Sequence, residues 1–372
     1  MEIKLGIVGA CGRGLDFKKI GDALDGVSVH AVCDSDRQKL VELEEEFANC
    51  LRFVDYQEML DCAGLDAVII ATPMPYHLAQ TIAALAADLH VMCEVPACVS
   101  VAECKELVAA CKKSKGSFML AENYSYTRSN RIISELVRLG AFGAPYYAEG
   151  EYLHEIKDYA TLTPWRRKWQ LGIDGITYGT HSLGPILQWM PGDRVTRVCC
   201  EGTGPRHKDQ KGEFFCQSSS VMLCKTANDA LIKIRVDLLS DRPHACFNYQ
   251  LQGTDGAYES SRGGPNEIDK VWLREFGAAL DWSDLSTFVD DEKLAERYLP
   301  VEWQAHAELA YSASHGGGDY FEVLDFLQAI RGDKPPLVGI HEAMDITLPG
   351  LISQQSIAQG GAWLPVPDSR DW

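Results

Sequence analysis

Up to about residue 120, short apolar runs alternate with segments whose apolar positions recur every three or four residues. The runs predict strands at Ile3–Val8, Val27–Cys33, Ala67–Ala71, His90–Cys93 and Ser117–Leu120. The segments between them predict helices, for example over Arg37–Phe47, Tyr76–Ala87 and Val101–Lys113. Strand, helix and strand in this rhythm call for an α/β fold, a parallel sheet with helices on both faces.

The pattern then changes. From Tyr178, apolar residues at Leu183, Ile186, Leu187 and Met190 follow helical spacing, so a helix is expected to open there. Beyond Met190, Arg194–Glu201, Phe215–Cys224, Ala230–Val236, Phe247–Gln252 and Tyr258 onward alternate or run apolar between short turns. They predict a large, mostly antiparallel, open sheet. Residues 266–317 read as irregular, with one short charged helix around Asp290–Tyr298. Two helices follow, Asp319–Arg331 and Glu342–Gln359, the second ended by Gly360-Gly361. The expected division is 1–123, an α/β domain, and 124–372, an α+β domain built on the second sheet.

Totals add boundaries. A chain of 372 residues is long for one hydrophobic core, which agrees with two domains. A net charge of −18 argues against nucleic acid, whose phosphates need a basic patch. No apolar run reaches the roughly 18 residues of a membrane span. A strand is read from Ile3 with no export leader before it, and the 13 cysteines contain no C-x-x-C pair. Free thiols in a reducing cytoplasm are the expectation. His154 and Glu155 invite a metal reading, but no further ligand follows at regular spacing, so no metal is expected.

The first strand-to-helix turn is Gly9-Ala-Cys-Gly-Arg-Gly14. Against G-x-G-x-x-G it keeps the outer glycines and puts Cys11 at the middle one, where backbone normally approaches a pyrophosphate. Gly12 beside it supplies freedom of its own. The second strand ends at Asp34, placed to bind ribose hydroxyls and to repel a 2′-phosphate. A Rossmann-type sheet binding NAD rather than NADP follows. Thr72-Pro73 and Glu94 end the next two strands, at the edge where open α/β sheets bind ligands.

Tyr178 and His181 are three residues apart, so on one helix they would share a face. A phenol and an imidazole pointing into the same space is a proton-transfer arrangement. Trp165, Trp169 and Tyr178 offer apolar faces to a pyranose, and Arg166, Glu122 and Asn123 offer directional hydrogen bonds. Each has an ordinary alternative, a packed aromatic or a surface ion pair.

The glycine loop, Ala71-Thr-Pro73 with His77, and Glu94-Val-Pro96 together resemble the Gfo/Idh/MocA family, the glucose–fructose oxidoreductase and inositol dehydrogenase relatives. The resemblance spans nearly the whole chain. It implies cofactor contacts from Gly9, Cys11, Gly12, Arg13, Asp34, Thr72, Pro73, His77, Glu94 and Asn123. Family dehydrogenases commonly move a proton with the lysine of Glu-Lys-Pro, and here that position is Val95. Ala121-Glu-Asn-Tyr-Ser-Tyr126, Glu151-Tyr-Leu-His154, Trp165-Arg-Arg167 and Tyr178-Gly-Thr-His181 look like a subgroup containing the NAD-dependent glycosidases of glycoside hydrolase family 109. Its signature is Tyr-Pro-Thr-His, so Gly179 departs from it in backbone only. Gly-Gly-Asp-Tyr320 fits more loosely. The resemblance implies Tyr178 and His181 as acid/base groups, with Glu122, Tyr152, Arg166, Trp165 and Tyr249 around the sugar. It also implies a homo-oligomer, dimer or tetramer, built on the C-terminal sheet. Three functions fit: a redox-neutral glycosidase, favoured here by the lost lysine and the Tyr-x-Thr-His pattern; a net sugar dehydrogenase or keto-sugar reductase; and a non-catalytic NAD-binding sensor.

Overall fold

Six strands pair in parallel at the start of the chain: β1 (Ile3–Val8), β2 (Val27–Cys33), β3 (Leu51–Phe53), β4 (Ala67–Ile70), β5 (His90–Glu94) and β6 (Phe118–Ala121). Their order is β3-β2-β1-β4-β5-β6, which reverses direction between β1 and β4. Ligands of such sheets bind outside the carboxyl ends of the strands at that reversal. The structure, a computed structural model, describes residues 2–263, 267–277, 281–290 and 292–372.

The central strands are buried on both faces, β4 at every position, which is why they read as continuous apolar runs. The edge strand β3 escapes sequence reading, being three residues long and largely exposed. One helix is shorter than expected, ending at Glu42 (Arg37–Glu42). Its C-terminus meets Glu42, Glu44, Glu45 and Glu46. Negative charge there opposes the helix dipole and repels itself.

Nine strands form the second sheet, in the order β14-β13-β12-β11-β7-β10-β9-β8-β15. They are β7 (Pro145–Leu153), β8 (Val195–Gly202), β9 (Ser220–Thr226), β10 (Leu231–Asp237), β11 (Ala245–Gly253), β12 (Gly256–Glu259), β13 (Lys270–Leu273), β14 (Ser283–Asp284) and β15 (Leu364–Pro365). Only β7 with β10 is parallel among the described pairs. The fold class is the expected one. Strand β7 was not anticipated, because Pro-Tyr-Tyr-Ala-Glu-Gly-Glu-Tyr-Leu carries polar groups on both sides of the alternation. The short charged helix expected around Asp290–Tyr298 is found at Glu292–Tyr298, and the rest of the stretch expected to be irregular also holds β13 and the helix Val301–Ser312. Residues 266, 278–280 and 291 lie outside the described residues.

The chain divides into two units, one of Met1–Asn123, Glu308–Met344 and Ser369–Trp372, the other of Tyr124–Ala307 and Asp345–Asp368. The boundary at residue 123 is the expected one, but the assignment of all of 124–372 to one domain needs correction. The helix Gly318–Arg331 belongs to the nucleotide-binding unit. Its first ten residues are buried, its Asp319 pairs with Arg13, and Val338 O beyond it accepts from Leu120 N of β6 at 2.9 Å. Among the described residues no helix is long and apolar enough to cross a membrane.

Candidate active site

In the nucleotide-binding unit, β1 ends in the turn Gly9–Gly14. Gly9 has φ +80°, and a Cβ there would stand 2.5 Å from Ala71 O, so the close passage beside β4 requires glycine. A Cβ on Gly12, in contrast, would meet nothing within 4 Å. That side of the turn is open. Asp34 caps the turn by accepting from Cys11 N and from Asp36 N, both at 2.9 Å. Burial and the Asp34 charge push the Cys11 thiol up to about 12, so it stays neutral. At the neighbouring strand ends Thr72 Oγ1 donates to Gln80 at 2.5 Å, and Pro73 leads into the 3-10 turn Met74–Tyr76.

Behind these ends His77 is buried, with its ring nitrogens 2.8 Å from Pro96 O and 2.7 Å from Thr72 O. Burial lowers its pKa although both carbonyls favour the proton, and a neutral ring donates to only one of the two. Its expected role as a cofactor contact is corrected on this ground: the ring faces backbone.

Arg13 also departs from its expected role. Its guanidinium makes a bidentate pair with Asp319 at 2.6 and 2.7 Å and donates through Nε to Glu94 at 2.7 Å. Asp16 stands at 3.3 Å and Glu322 at 3.6 Å. Asp319 further accepts from Asn123 Nδ2 at 2.7 Å and Ser314 Oγ at 2.5 Å, with His315 Nδ1 at 3.0 Å. Burial alone would raise the Asp319 carboxyl, but hydrogen bonds from Arg13 and His315 outweigh it and hold it well below the usual range. Glu322 is the opposite case. Burial and the Asp319 charge push it well up, making it a neutral acid inside the cluster. Glu94 and Asn123 are thus engaged with the glycine turn's own anchor, and Glu122 is fully buried at the end of β6.

In the second unit, β7 carries Tyr152 to one end of the sheet. The helix Thr180–Gln188 lies against β7 at Gly150, where a Cβ would come 2.9 Å from Ser182 Cβ. The helix begins after Tyr178, so the expected shared helical face is corrected: His181 lies in the first turn and Tyr178 just before it. Gly179 between them has an ordinary φ of −93°. The rings still meet, edge to face, with centroids 5.1 Å apart. Tyr152 stands 5.6 Å from Tyr178 and 5.2 Å from His181, and Tyr124 stacks on His181 at 4.2 Å. Trp165 lies under the Arg166 guanidinium at 4.5 Å, and Arg166 donates to Gln170 at 2.6 Å.

Pro185 inside this helix has no N–H to give the carbonyl four residues back, which is that of His181. The Tyr249 hydroxyl donates to it instead, at 2.6 Å. Tyr249 is 1% exposed, so it is a support for His181 rather than the expected sugar contact. Replacing Tyr249 by phenylalanine is expected to cost about 1–3 kcal/mol, the range for a buried acceptor losing its donor. Denaturant unfolding would show this as a lower midpoint with an unchanged m-value.

Residues 3–122 match the oxidoreductase family model GFO_IDH_MocA with an NAD-binding Rossmann fold, and residues 195–371 match the C-terminal domain of glycosyl hydrolase 109. The chain thus carries an NAD-binding domain of the Gfo/Idh/MocA type followed by a C-terminal domain of the glycosyl hydrolase 109 type. A glycosyl hydrolase family 109 protein of Saccharopolyspora erythraea is 26% identical over 408 residues, covering 98% of this chain and 83% of the relative. Another, from Shewanella woodyi, is 26% identical over 401 residues, covering 98% and 84%. Among solved structures, levoglucosan dehydrogenase in complex with NADH and L-sorbose aligns with TM-score 0.80 at 19% identity over 99% of this chain and 100% of that one. The WlbA dehydrogenase of Bordetella pertussis, in complex with NADH and UDP-GlcNAcA, aligns with TM-score 0.73 at 18% identity, covering 99% of each chain. These two likenesses are of fold.

The turn fits the NAD named in the family model that residues 3–122 match. Gly12 leaves the pyrophosphate side open, and Asp34 has acceptor capacity beyond its two backbone bonds. Val95, at the position of the family lysine, is buried and carries no titratable group. Among the described residues no group of three or more His, Cys, Asp or Glu is placed to hold a metal. Asp319 and His154 are the two residues that sequence reading underweighted. The first lay in a loose motif, and the second was considered only as a metal ligand.

Proposed function

We propose that this protein is an NAD-dependent, redox-neutral glycosidase. The observation that carries the reading is the convergence of Tyr152, Tyr178 and His181 in one unit while Val95 removes the lysine of net dehydrogenases. Bound NAD would accept hydride from C3 of a pyranoside and return it at the end of the cycle. Oxidation at C3 makes the C2 hydrogen acidic. His181 removes it, since imidazole is the side chain whose ordinary pKa suits proton transfer near neutrality. Tyr178, in edge contact with His181, protonates the departing anomeric group. Water adds across the resulting double bond, and C3 is reduced again. Arg166, 4.5 Å from the centre of the Trp165 ring, presents directional donors to sugar hydroxyls while the indole supplies an apolar face. Glu122 and Asn123 belong to the same reading as polar groups at the end of β6. The nine-stranded sheet buries alternate positions along β9 and β10 and leaves the others partly exposed, the face on which a second copy packs in this reading.

A net sugar dehydrogenase is the second reading, favoured by the match of residues 3–122 to an oxidoreductase family. One assay separates them: a panel of aryl and natural glycosides in deuterated solvent, followed at 340 nm and by product. The proposal expects glycoside cleavage, deuterium at C2 and no accumulating NADH. NADH rising in step with keto-sugar would overturn it in favour of the dehydrogenase. No turnover with tightly held NAD would overturn both in favour of a sensor.

A further inference from the structure

Residues two apart on a strand face the same side. Tyr152 lies on β7 and His154 just past its end, where His154 N continues the pairing by donating to Asp237 O at 3.0 Å. Their side chains meet there, Tyr152 Oη to His154 Nδ1 at 2.8 Å. Next to His154 is the His244 ring, edge-on at 4.4 Å. Tyr152 thus neighbours His154, Tyr178 and His181 at once, with ring centroids 5.5, 5.6 and 5.2 Å away.

We propose that His154 stores the proton of the sugar hydroxyl that is oxidised, receiving it through Tyr152. The inference rests on the sugar-oxidising reading above and does the work for which Val95 has no group. The step balances as follows in the forward direction. As C3 gives up its hydride, which bound NAD would accept, the hydroxyl proton moves to Tyr152 Oη. The Tyr152 proton moves to Nδ1 of His154, and C3=O forms. Reduction of C3 reverses all three movements, so the proton never needs to leave the site.

The two side chains have the electrostatics the relay needs. Burial raises the Tyr152 phenol well above its ordinary value, with Tyr124 and Tyr178 adding to the effect, so Tyr152 can pass a proton but cannot rest as phenolate. Burial, His244, Arg166 and His181 bring His154 down to about 4, so the imidazole rests neutral with an acceptor nitrogen. A weak base suffices, because the hydroxyl of an alcohol losing hydride becomes strongly acidic. The same weakness makes the imidazolium return its proton readily, which suits a cycle that ends where it began.

The test uses any pyranoside that the wild-type protein oxidises, followed in single turnover at 340 nm. Glutamine at 154 can still accept a hydrogen bond from Tyr152 but cannot hold a proton. His154→Gln is therefore expected to slow oxidation by about 10²-fold or more, with KM and NAD affinity changed less than about threefold. Tyr152→Phe should give a similar loss, and the double variant little more than either. A His154→Gln protein that oxidises at the wild-type rate, or losses that multiply in the double variant, would overturn the relay alone. A wild-type protein that oxidises no pyranoside would overturn the functional reading and the relay with it. Independently of any variant, 15N spectra of the wild-type imidazole should show the proton on Nε2 at neutral pH; a proton on Nδ1 would also overturn it.

Discussion

Replacing His181 by alanine is expected to lower sugar turnover by about 10²–10⁴-fold, the usual contribution of a positioned acid or base, with NAD still bound. The first half follows from the site. His181 is buried among Tyr124, Tyr152 and Tyr178, in the first turn of a helix whose backbone is fixed at that residue by the Tyr249 hydroxyl. Truncation removes the imidazole and leaves that anchor in place, so the loss should fall on kcat rather than on folding. The second half follows from the division of labour. The turn Gly9–Gly14 and Asp34 lie in the other unit, so the nucleotide is held by groups the substitution does not touch. Turnover in the glycoside assay and NAD retention by fluorescence or equilibrium dialysis check both halves. Unchanged turnover would remove His181 from the mechanism; lost NAD would mean that its role is in cofactor binding.

The Asp319→Ala protein is expected to be less stable by about 3–5 kcal/mol, because it leaves a partly buried guanidinium facing Glu94 and the buried Glu322 without its bidentate partner. For a unit of this size that is a fall of roughly 10 °C in the unfolding midpoint. If the Gly9–Gly14 turn cradles NAD, affinity for it should fall too, since Arg13 sits inside that turn and Asp319 is what holds its side chain. The sign with pH is fixed by the direction of the Asp319 shift. Its folded pKa is depressed, so its contribution is complete above the ordinary carboxylate value near 4 and is lost only as pH falls further. The difference between wild type and variant should therefore shrink as pH falls below about 4. A double-mutant cycle with Arg13→Met should show a coupling of at least about 1 kcal/mol; additive losses would mean that the pair is not the source of the stability.

The front of the molecule was legible because parallel strands buried on both faces leave an unbroken apolar record, and because a strand-to-helix turn near a pyrophosphate needs glycine where Gly9 stands. The cofactor class followed from the same few residues. The site beyond it was legible only in part. The Tyr178 and His181 pairing was found through helical spacing, yet the helix starts at Thr180 and the rings meet because the preceding loop delivers Tyr178. Reading Tyr249 as a sugar contact failed because nothing local says that Pro185 leaves the His181 carbonyl in need of a donor from β11.

The sequence by itself determined the α/β class, the NAD-type turn, the antiparallel character of the second sheet and the residue types available for proton transfer. These are properties of periodicity and of single positions, set by what each residue does within a few neighbours. Only the tertiary structure decided which groups serve which. Arg13 and Asp319 are 306 residues apart in the chain, and their bond turned an expected phosphate contact into the anchor of the turn. Tertiary structure likewise returned the helix Gly318–Arg331 to the first unit and set His154 against Tyr152. Charge pairing and hydrogen bonding act at a few ångströms in space, and a chain records such distances only once it has folded.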